Sequence, residues 1–255
     1  MLKSGLVSVT FRKLDYKAII EYVKNAGLSA IEWGGDIHVP HGDLQKARQV
    51  GAETTAAGIE VAAYGSYYIA GDSSEAGLSF ETVLKTAIEL ASPTIRIWAG
   101  KIGSAESDNC YWSKIVTDSK RIAELAAAKK INLSFEFHRN TLADSAQSAL
   151  RLMQEISNEN LKVYWQPSVG MTSNDNLKDL NLLLGYITNV HVFHWNADRS
   201  RCLLEDGLKD WKIYFDKLIS SGQNHYTMIE FVKDDSIENF IKDSKTLLGL
   251  LSKGV

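Results

Sequence analysis

The chain has 255 residues, 45% of them hydrophobic, and a formal net charge of −3. This size suits one large domain or two small ones, and the mixed charges form no basic stripe of the kind that binds nucleic acid. No apolar run is long enough to span a bilayer, no signal peptide is evident, and the two cysteines lie far apart. We therefore expect a reduced, cytoplasmic protein with neither a membrane nor a nucleic-acid partner.

Strand and helix patterns alternate eight times along the chain. The predicted strands cover residues 6–11, 30–33, 59–64, 94–98, 131–137, 161–166, 188–195 and 226–231. The predicted helices cover residues 15–26, 43–57, 79–90, 112–129, 145–156, 176–184, 210–220 and 236–251. Eight such units in about 250 residues predict an α/β protein, a (β/α)₈ TIM barrel in one domain over residues 1–255. A doubly wound open sheet is the alternative, but no glycine-rich phosphate turn follows the first strand.

The fifth predicted strand shows where chemistry is expected. Its side chains alternate, so that Phe135 and Phe137 lie on one face and Glu136 and His138 on the other. A carboxylate is costly to bury without a partner. Glu136 should therefore have a cation, a set of hydrogen bonds, or both.

Three further strands carry comparable polar residues near their carboxyl ends, where TIM barrels place their active sites. Gln166 ends the sixth predicted strand, His191 lies in the seventh and Glu230 in the eighth. Each of these, like Glu136, could instead be a satisfied polar residue of the barrel interior. Together, two carboxylates, an imidazole and an amide oxygen on consecutive strands favour a site for one divalent cation, Mn²⁺, Mg²⁺, Co²⁺ or Zn²⁺.

Two histidines compete for the inward position on the seventh strand. His191 and His194 are three positions apart, so in a regular strand their side chains point to opposite faces and only one points into the barrel. We choose His191 because it lies deeper in the strand. His194 and His138 could bind substrate, orient a metal ligand or cap a strand end, and we take both as candidate substrate contacts. The remaining histidines are expected at the surface: His38, His41 and His225.

Aromatic residues follow several of the predicted strands. Trp33 and Trp98 are candidate substrate contacts, because aromatic rings pack against the C–H faces of sugars. Other aromatic residues at these positions must instead belong to the core. In the loop after the seventh strand, Arg199 and Arg201 could contact hydroxyl groups or a phosphate, although a solvated charged loop explains them equally well.

In order and spacing, seven segments of the chain resemble the xylose isomerase-like (β/α)₈ superfamily, which includes sugar and sugar-phosphate isomerases and epimerases. The resemblance covers essentially the whole chain, although most segments are loose matches individually. The segments are IEWGGDIHVPHGDL (31–44), IRIWAGKIGS (95–104), LSFEFHRNTLADS (133–145), VYWQPSVG (163–170), VHVFHW (190–195), RCLLEDGLKDW (201–211) and MIEF (228–231).

The resemblance implies that Glu136, His191, Glu230 and the residue on the sixth strand bind one divalent metal ion. It also implies that the two glutamates transfer protons and that His138 and Arg201 contact the substrate.

The sixth strand departs from the pattern of the superfamily. The superfamily usually has an acidic residue at the position of Gln166, and often a histidine at the position of Val169. These departures put the strength of metal binding in question. The superfamily also includes dehydratases, hydroxypyruvate isomerases and apurinic endonucleases, so the fold does not determine the reaction.

We predict a metal-dependent sugar or sugar-phosphate isomerase or epimerase that acts on a small sugar or polyol and forms a homo-oligomer. Glu136 and Glu230 would remove and return a proton next to a carbonyl, through an enediolate. Two alternatives stay open: an inosose-type dehydratase on the same scaffold, and a sugar-binding barrel whose metal binding is weakened by Gln166. An endonuclease is disfavoured by the net negative charge.

Overall fold

The computed structural model describes residues 1–252 and shows a closed barrel of eight parallel strands that pair in chain order. The strands are β1 (Leu2–Val7), β2 (Ala30–Gly34), β3 (Glu60–Ile69), β4 (Thr94–Trp98), β5 (Asn132–Glu136), β6 (Leu161–Trp165), β7 (Ile187–Val192) and β8 (His225–Ile229). The helices are α1 (Tyr16–Asn25), α2 (Leu44–Ala56), α3 (Phe80–Glu89), α4 (Asn109–Ala127), α5 (Ala146–Ile156), α6 (Ser173–Leu183), α7 (Leu208–Ser220) and α8 (Ile237–Ser252). The predicted TIM barrel is confirmed.

Local sequence signals begin and end several of these helices. The Asp43 carboxylate accepts a hydrogen bond from the Lys46 amide at 3.0 Å, so the predicted cap of α2 is confirmed. Gly27 and Gly58, which follow α1 and α2, have φ angles of +74° and +79°. That left-handed conformation suits glycine and stops each helix at the predicted place.

The main hydrophobic core lies between the strands and the surrounding helices, and a smaller one fills the barrel interior. The interior cluster contains Val7, Val9, Ala30, Ala62, Ala63, Tyr164 and Met228. Gly5 lets neighbouring strands approach closely there, because a Cβ atom at this position would lie 2.7 Å from the Ala30 carbonyl oxygen. No helix within residues 1–252 combines the length and apolar character needed to cross a bilayer.

The first strand differs from its prediction. It runs over Leu2–Val7, and the residues Ser8–Phe11 form a short 3₁₀ helix. The alternation of apolar residues there is typical of a strand. In the structure, however, the hydroxyl groups of Ser8 and Thr10 accept hydrogen bonds from backbone amides of neighbouring segments. Ser8 Oγ accepts from the Gly34 amide at 2.9 Å, and Thr10 Oγ1 accepts from the Phe231 amide at 3.1 Å.

Candidate metal centre and active-site cavity

A cavity of about 500 Å³ opens at the carboxyl ends of the strands. Its deepest lining residues are buried and charged or polar, whereas Arg139 and Arg199 near its opening are exposed. Aromatic residues form much of the wall between them. The lining residues include Tyr67, Arg96, Trp98, Glu136, His138, Gln166, Trp195 and Glu230.

Four potential metal donors from consecutive strands converge below this cavity. Nδ1 of His191 lies 3.1 Å from Oε1 of Gln166, 3.6 Å from Oε1 of Glu136 and 3.4 Å from Oε2 of Glu230. One ligand atom each from Glu136, His191 and Glu230 fall within 4.8 Å of one another. The structure therefore brings together the four residues that the sequence analysis selected.

This arrangement fits a single divalent cation. Donors that share one ion at about 2.1 Å lie roughly 3.0–3.5 Å apart, which is close to the spacing around His191 Nδ1. The donor set of carboxylate and amide oxygens with one imidazole nitrogen suits Mn²⁺, Mg²⁺, Co²⁺ or Zn²⁺. Two carboxylates also balance the charge of a divalent ion.

Arg96 and Glu32 belong to this cluster and were not assigned a role from the sequence. The Arg96 side chain is 1% exposed, and its Nε donates to Oε1 of Glu32 at 2.7 Å. Its Nη1 donates to Oε2 of Glu136, which also accepts from the Trp98 indole at 2.6 Å. One oxygen of Glu136 is thus held by two donors while the other faces His191.

The signal for Arg96 is present in the sequence. Ile95 and Ile97 flank it on β4 and belong to the core under the helices, so alternation turns Arg96 into the barrel. A guanidinium buried there requires carboxylate partners. Which carboxylates it finds depends on how the barrel closes.

The charges of the cluster shift several pKa values in opposite directions. Burial tends to raise the pKa of Glu32, but the positive charges of Arg96 and His191 outweigh it and lower that pKa to about 2. Glu136 is affected in the same way, and its pKa is also lowered. For Glu230 burial dominates, and its pKa rises to about 7. Burial opposes a charged His191, yet the surrounding carboxylates raise its pKa.

Two of the predicted substrate contacts lie side by side in the cavity wall. The rings of His138 and Trp98 are stacked, with centroids 5.3 Å apart and planes 14° apart. His138 Nδ1 lies 2.7 Å from the carbonyl oxygen of Arg139 and donates its N–H to that oxygen. Its Nε2 has no partner within residues 1–252.

Two other predicted substrate contacts are wrong. Trp33 is fully buried outside the barrel, where its indole donates to Thr54 Oγ1 of α2 at 3.2 Å. His194 packs against Gly207, where an added Cβ atom would lie 2.5 Å from the His194 Nδ1. Trp33 points from β2 toward α2, His194 lies in the loop after β7, and neither residue lines the cavity.

Arg201 does not line the cavity either. Its guanidinium is paired with Asp235 and lies 3.3 Å from the carbonyl oxygen of Val232. The expected surface positions of two histidines are also wrong. His38 is buried and bonded to Ser8 Oγ, and His225 is buried beside a carbonyl oxygen of β7.

Comparison with known proteins gives one family match and several similar structures. The family described as the xylose isomerase-like TIM barrel matches residues 20–249. A 3-dehydroshikimate dehydratase from Bacillus anthracis is 26% identical over 175 residues, or 64% of this chain. That match spans 60% of the length of the dehydratase.

The similar solved structures share the fold over nearly the whole chain. The probable 3-DHS dehydratase of Bacillus anthracis superposes with a TM-score of 0.81 at 20% identity, covering 97% of this chain and 99% of that one. An L-ribulose 3-epimerase gives 0.75 at 16% identity, covering 100% and 96%. A xylose isomerase-like protein from Mycobacterium smegmatis, solved in complex with magnesium, gives 0.71 at 11% identity, covering 99% and 97%.

Proposed function

Because the chain belongs to the xylose isomerase-like TIM barrel family, we propose that it is a metal-dependent enzyme acting next to a carbonyl group. It removes a proton from the carbon beside the carbonyl of a small hydroxylated substrate, and dehydration is the favoured outcome. The observation that carries this proposal is the convergence of Glu136, Gln166 and Glu230 on Nδ1 of His191 beneath a cavity.

These four residues would hold the divalent ion. When bound, the ion supplies Lewis-acid polarisation of the substrate carbonyl and counters the negative charge that develops as the proton leaves. The stacked rings of Trp98 and His138 offer one face on which the carbon skeleton of the substrate can rest.

The two glutamates are not equivalent as bases. Glu136 accepts hydrogen bonds from Arg96 and Trp98 on one oxygen, and such bonds stabilise the charged carboxylate against protonation. Within residues 1–252 the Glu230 carboxylate accepts no hydrogen bond, and its Oε2 lies 3.4 Å from His191 Nδ1. We therefore assign proton removal to Glu230 and a fixed binding role to Glu136.

A single base suits elimination better than a reaction that needs a second base on the opposite face. In the proposed step the C–H bond breaks, Glu230 takes the proton, and the electron pair forms the enolate. The enolate then forms a C=C bond as the neighbouring C–O bond breaks. The departing hydroxyl takes a proton from solvent and leaves as water, and Glu230 then releases its proton to solvent.

The relatives and the rim of the cavity support this choice. One relative and one similar structure are dehydratases of 3-dehydroshikimate by name. Arg139 and Arg199 line the opening and form no ion pair within residues 1–252. Two free guanidinium groups there suit a substrate that bears a carboxylate or a phosphate.

The test is a substrate screen of the full chain in D₂O, with and without Mn²⁺, read by NMR. The test compounds are 3-dehydroshikimate, an inosose and ribulose, with Glu230→Gln as the control variant. Loss of water from a ring ketone, dependent on Mn²⁺ and on Glu230, is expected. Absence of both elimination and deuterium incorporation for every compound with Mn²⁺, Mg²⁺ and Co²⁺ would contradict the proposal.

Epimerisation is the second candidate, because an L-ribulose 3-epimerase and a D-psicose 3-epimerase share the fold. It uses the same first step, in which a proton leaves the carbon next to the carbonyl. Deuterium incorporation with inversion, and no loss of water, would favour it and would require Glu136 to act as the second base.

A further inference from the structure

We propose that the barrel carries a second binding site, for a phosphate group, at the end opposite the catalytic cavity. A separate cavity of about 500 Å³ opens there, among the first residues of the strands, and we call it the amino-end cavity. It shares no lining residue with the catalytic cavity, so the inference is independent of the proposed function. The lining residues that carry the argument are Lys3, Thr94, Asn132, Lys162 and Tyr226.

Three polar side chains on neighbouring strands lie side by side in the amino-end cavity. Thr94 and Asn132 are the first residues of β4 and β5 and are paired in the register of the sheet. Lys162 is the second residue of the adjacent strand β6. Thr94 has the parity of Arg96, and Asn132 that of Glu136, so alternation turns both side chains into the barrel.

These three side chains have no hydrogen-bond or ion-pair partner among residues 1–252. Thr94 is the most informative of them, because it is only 5% exposed and still lines the cavity. Buried hydroxyl groups are normally paired, so this one is left to bond to a molecule inside the cavity. The Asn132 amide and the Lys162 ammonium add further donors beside it.

Lys162 gives the amino-end cavity its positive charge. The other lysine there, Lys3, lies 2.8 and 2.7 Å from the two carboxylate oxygens of Glu60. The Tyr226 hydroxyl also donates to Oε2 of Glu60, at 2.5 Å. The charge of Lys3 is thus balanced by Glu60, whereas Lys162 has no carboxylate partner in the described part of the chain. An anion would balance it.

The donor set favours a phosphate over a carboxylate. A phosphate group offers three or more acceptor oxygens, so one group can bond to a hydroxyl, an amide and an ammonium together. The cavity volume lies within the range of about 300–1,000 Å³ that small organic ligands occupy. Pro93, Ile187 and Tyr226 add apolar surface for an organic group. We therefore infer that the ligand is a phosphate monoester.

NMR titration of the full chain with glycerol 3-phosphate tests the inference. We expect saturable shifts of the Thr94, Asn132 and Lys162 amide signals, with a Kd of roughly 1 mM or lower. The amides of Arg139 and Arg199 report separately on the catalytic cavity. Glycerol is the neutral control and should shift neither set. Inorganic phosphate should bind more weakly at the same residues, and tighter binding would keep the site but assign it to the free ion.

Two variants test the donors. Lys162→Met should weaken glycerol 3-phosphate binding at least about tenfold, because it removes a charge-assisted hydrogen bond. Thr94→Val keeps the side-chain shape, removes the hydroxyl and should cost roughly threefold. Lys85→Met is the matched control, since Lys85 is an exposed lysine of α3 that lines neither cavity. It should bind glycerol 3-phosphate as the native protein does.

The native protein alone can overturn the inference, whether or not the variants fold. Shifts confined to the catalytic cavity, or no saturable shift at Thr94, Asn132 and Lys162, would do so. Unchanged affinity in a folded Lys162→Met variant would also overturn it.

Discussion

Arg96 and Glu136 form a buried ion pair directly beneath the cavity, with side chains 1% and 5% exposed. The pair restricts Glu136 to one free oxygen, the one that faces His191. The guanidinium also neutralises charge among several buried carboxylates, which would otherwise repel one another when no metal ion is bound. The stability of the metal-free protein should therefore depend on Arg96.

Arg96→Met should destabilise the metal-free protein by about 3–5 kcal/mol, because two buried carboxylates lose their partner. Mn²⁺ should restore part of that loss, since the ion brings positive charge to Glu136. Urea unfolding with and without Mn²⁺ measures both effects. Arg121→Met, which removes an exposed arginine paired with Asp118, is the control and should cost about 1 kcal/mol or less. Equal stability of the two variants would contradict the prediction.

Glu230→Gln should abolish turnover and leave the fold intact. The amide preserves the shape of the side chain but cannot accept the proton, and removing a positioned base costs roughly two orders of magnitude or more in rate. Initial rates on the substrate found in the screen measure the effect, and circular dichroism checks the fold. Near-native activity would show that another residue removes the proton.

His191→Ala should weaken Mn²⁺ binding far more than His194→Ala does. His191 Nδ1 is central to the donor set, whereas His194 packs against Gly207 outside the barrel. Calorimetric titration of both variants with Mn²⁺ decides the matter. A comparable loss of affinity in the two variants would exclude His191 as the main nitrogen donor.

Gln166→Asp should bind Mn²⁺ about tenfold more tightly than the native protein, a gain of roughly 1.4 kcal/mol. Gln166 Oε1 lies 3.1 Å from His191 Nδ1, and a carboxylate there adds an anionic oxygen to the donor set. Metal and substrate affinities should be measured on the same variant. Unchanged metal affinity with altered substrate affinity would mean that Gln166 binds a substrate hydroxyl instead.

Asp243 should make stability fall as the pH rises. It accepts a hydrogen bond from the Leu204 amide at 2.8 Å, and burial raises its pKa from 3.8 to about 6. The folded state therefore binds more protons than the unfolded state between about pH 4 and pH 6, so unfolding becomes easier as the pH increases through that window.

Asp243→Asn keeps the hydrogen-bond acceptor and removes the titration. Relative to this variant, the native protein should lose about 1–3 kcal/mol of unfolding free energy between about pH 4 and pH 7. Urea unfolding at several pH values measures the difference. Curves that run parallel throughout this range would show that Asp243 does not titrate in the way its burial implies.

The sequence alone determined the barrel and much of the donor set, because both follow from local periodicity. Eight alternations of strand and helix within one chain leave few other topologies. Alternation along a strand separated His191 from His194, and the structure confirms that they face opposite sides. Parallel strands bring their carboxyl ends to one edge, which is why Glu136 and Glu230 meet.

The pairing of polar groups inside the barrel could not be predicted from the sequence. Arg96 contacts Glu32 across 64 residues, and Glu32 contacts His191 across 159. Such contacts depend on the register and closure of the sheet, which local patterns do not encode. Trp33 was expected to contact substrate because it lies near the end of a strand. In the structure its side chain points from β2 toward α2 and belongs to the core.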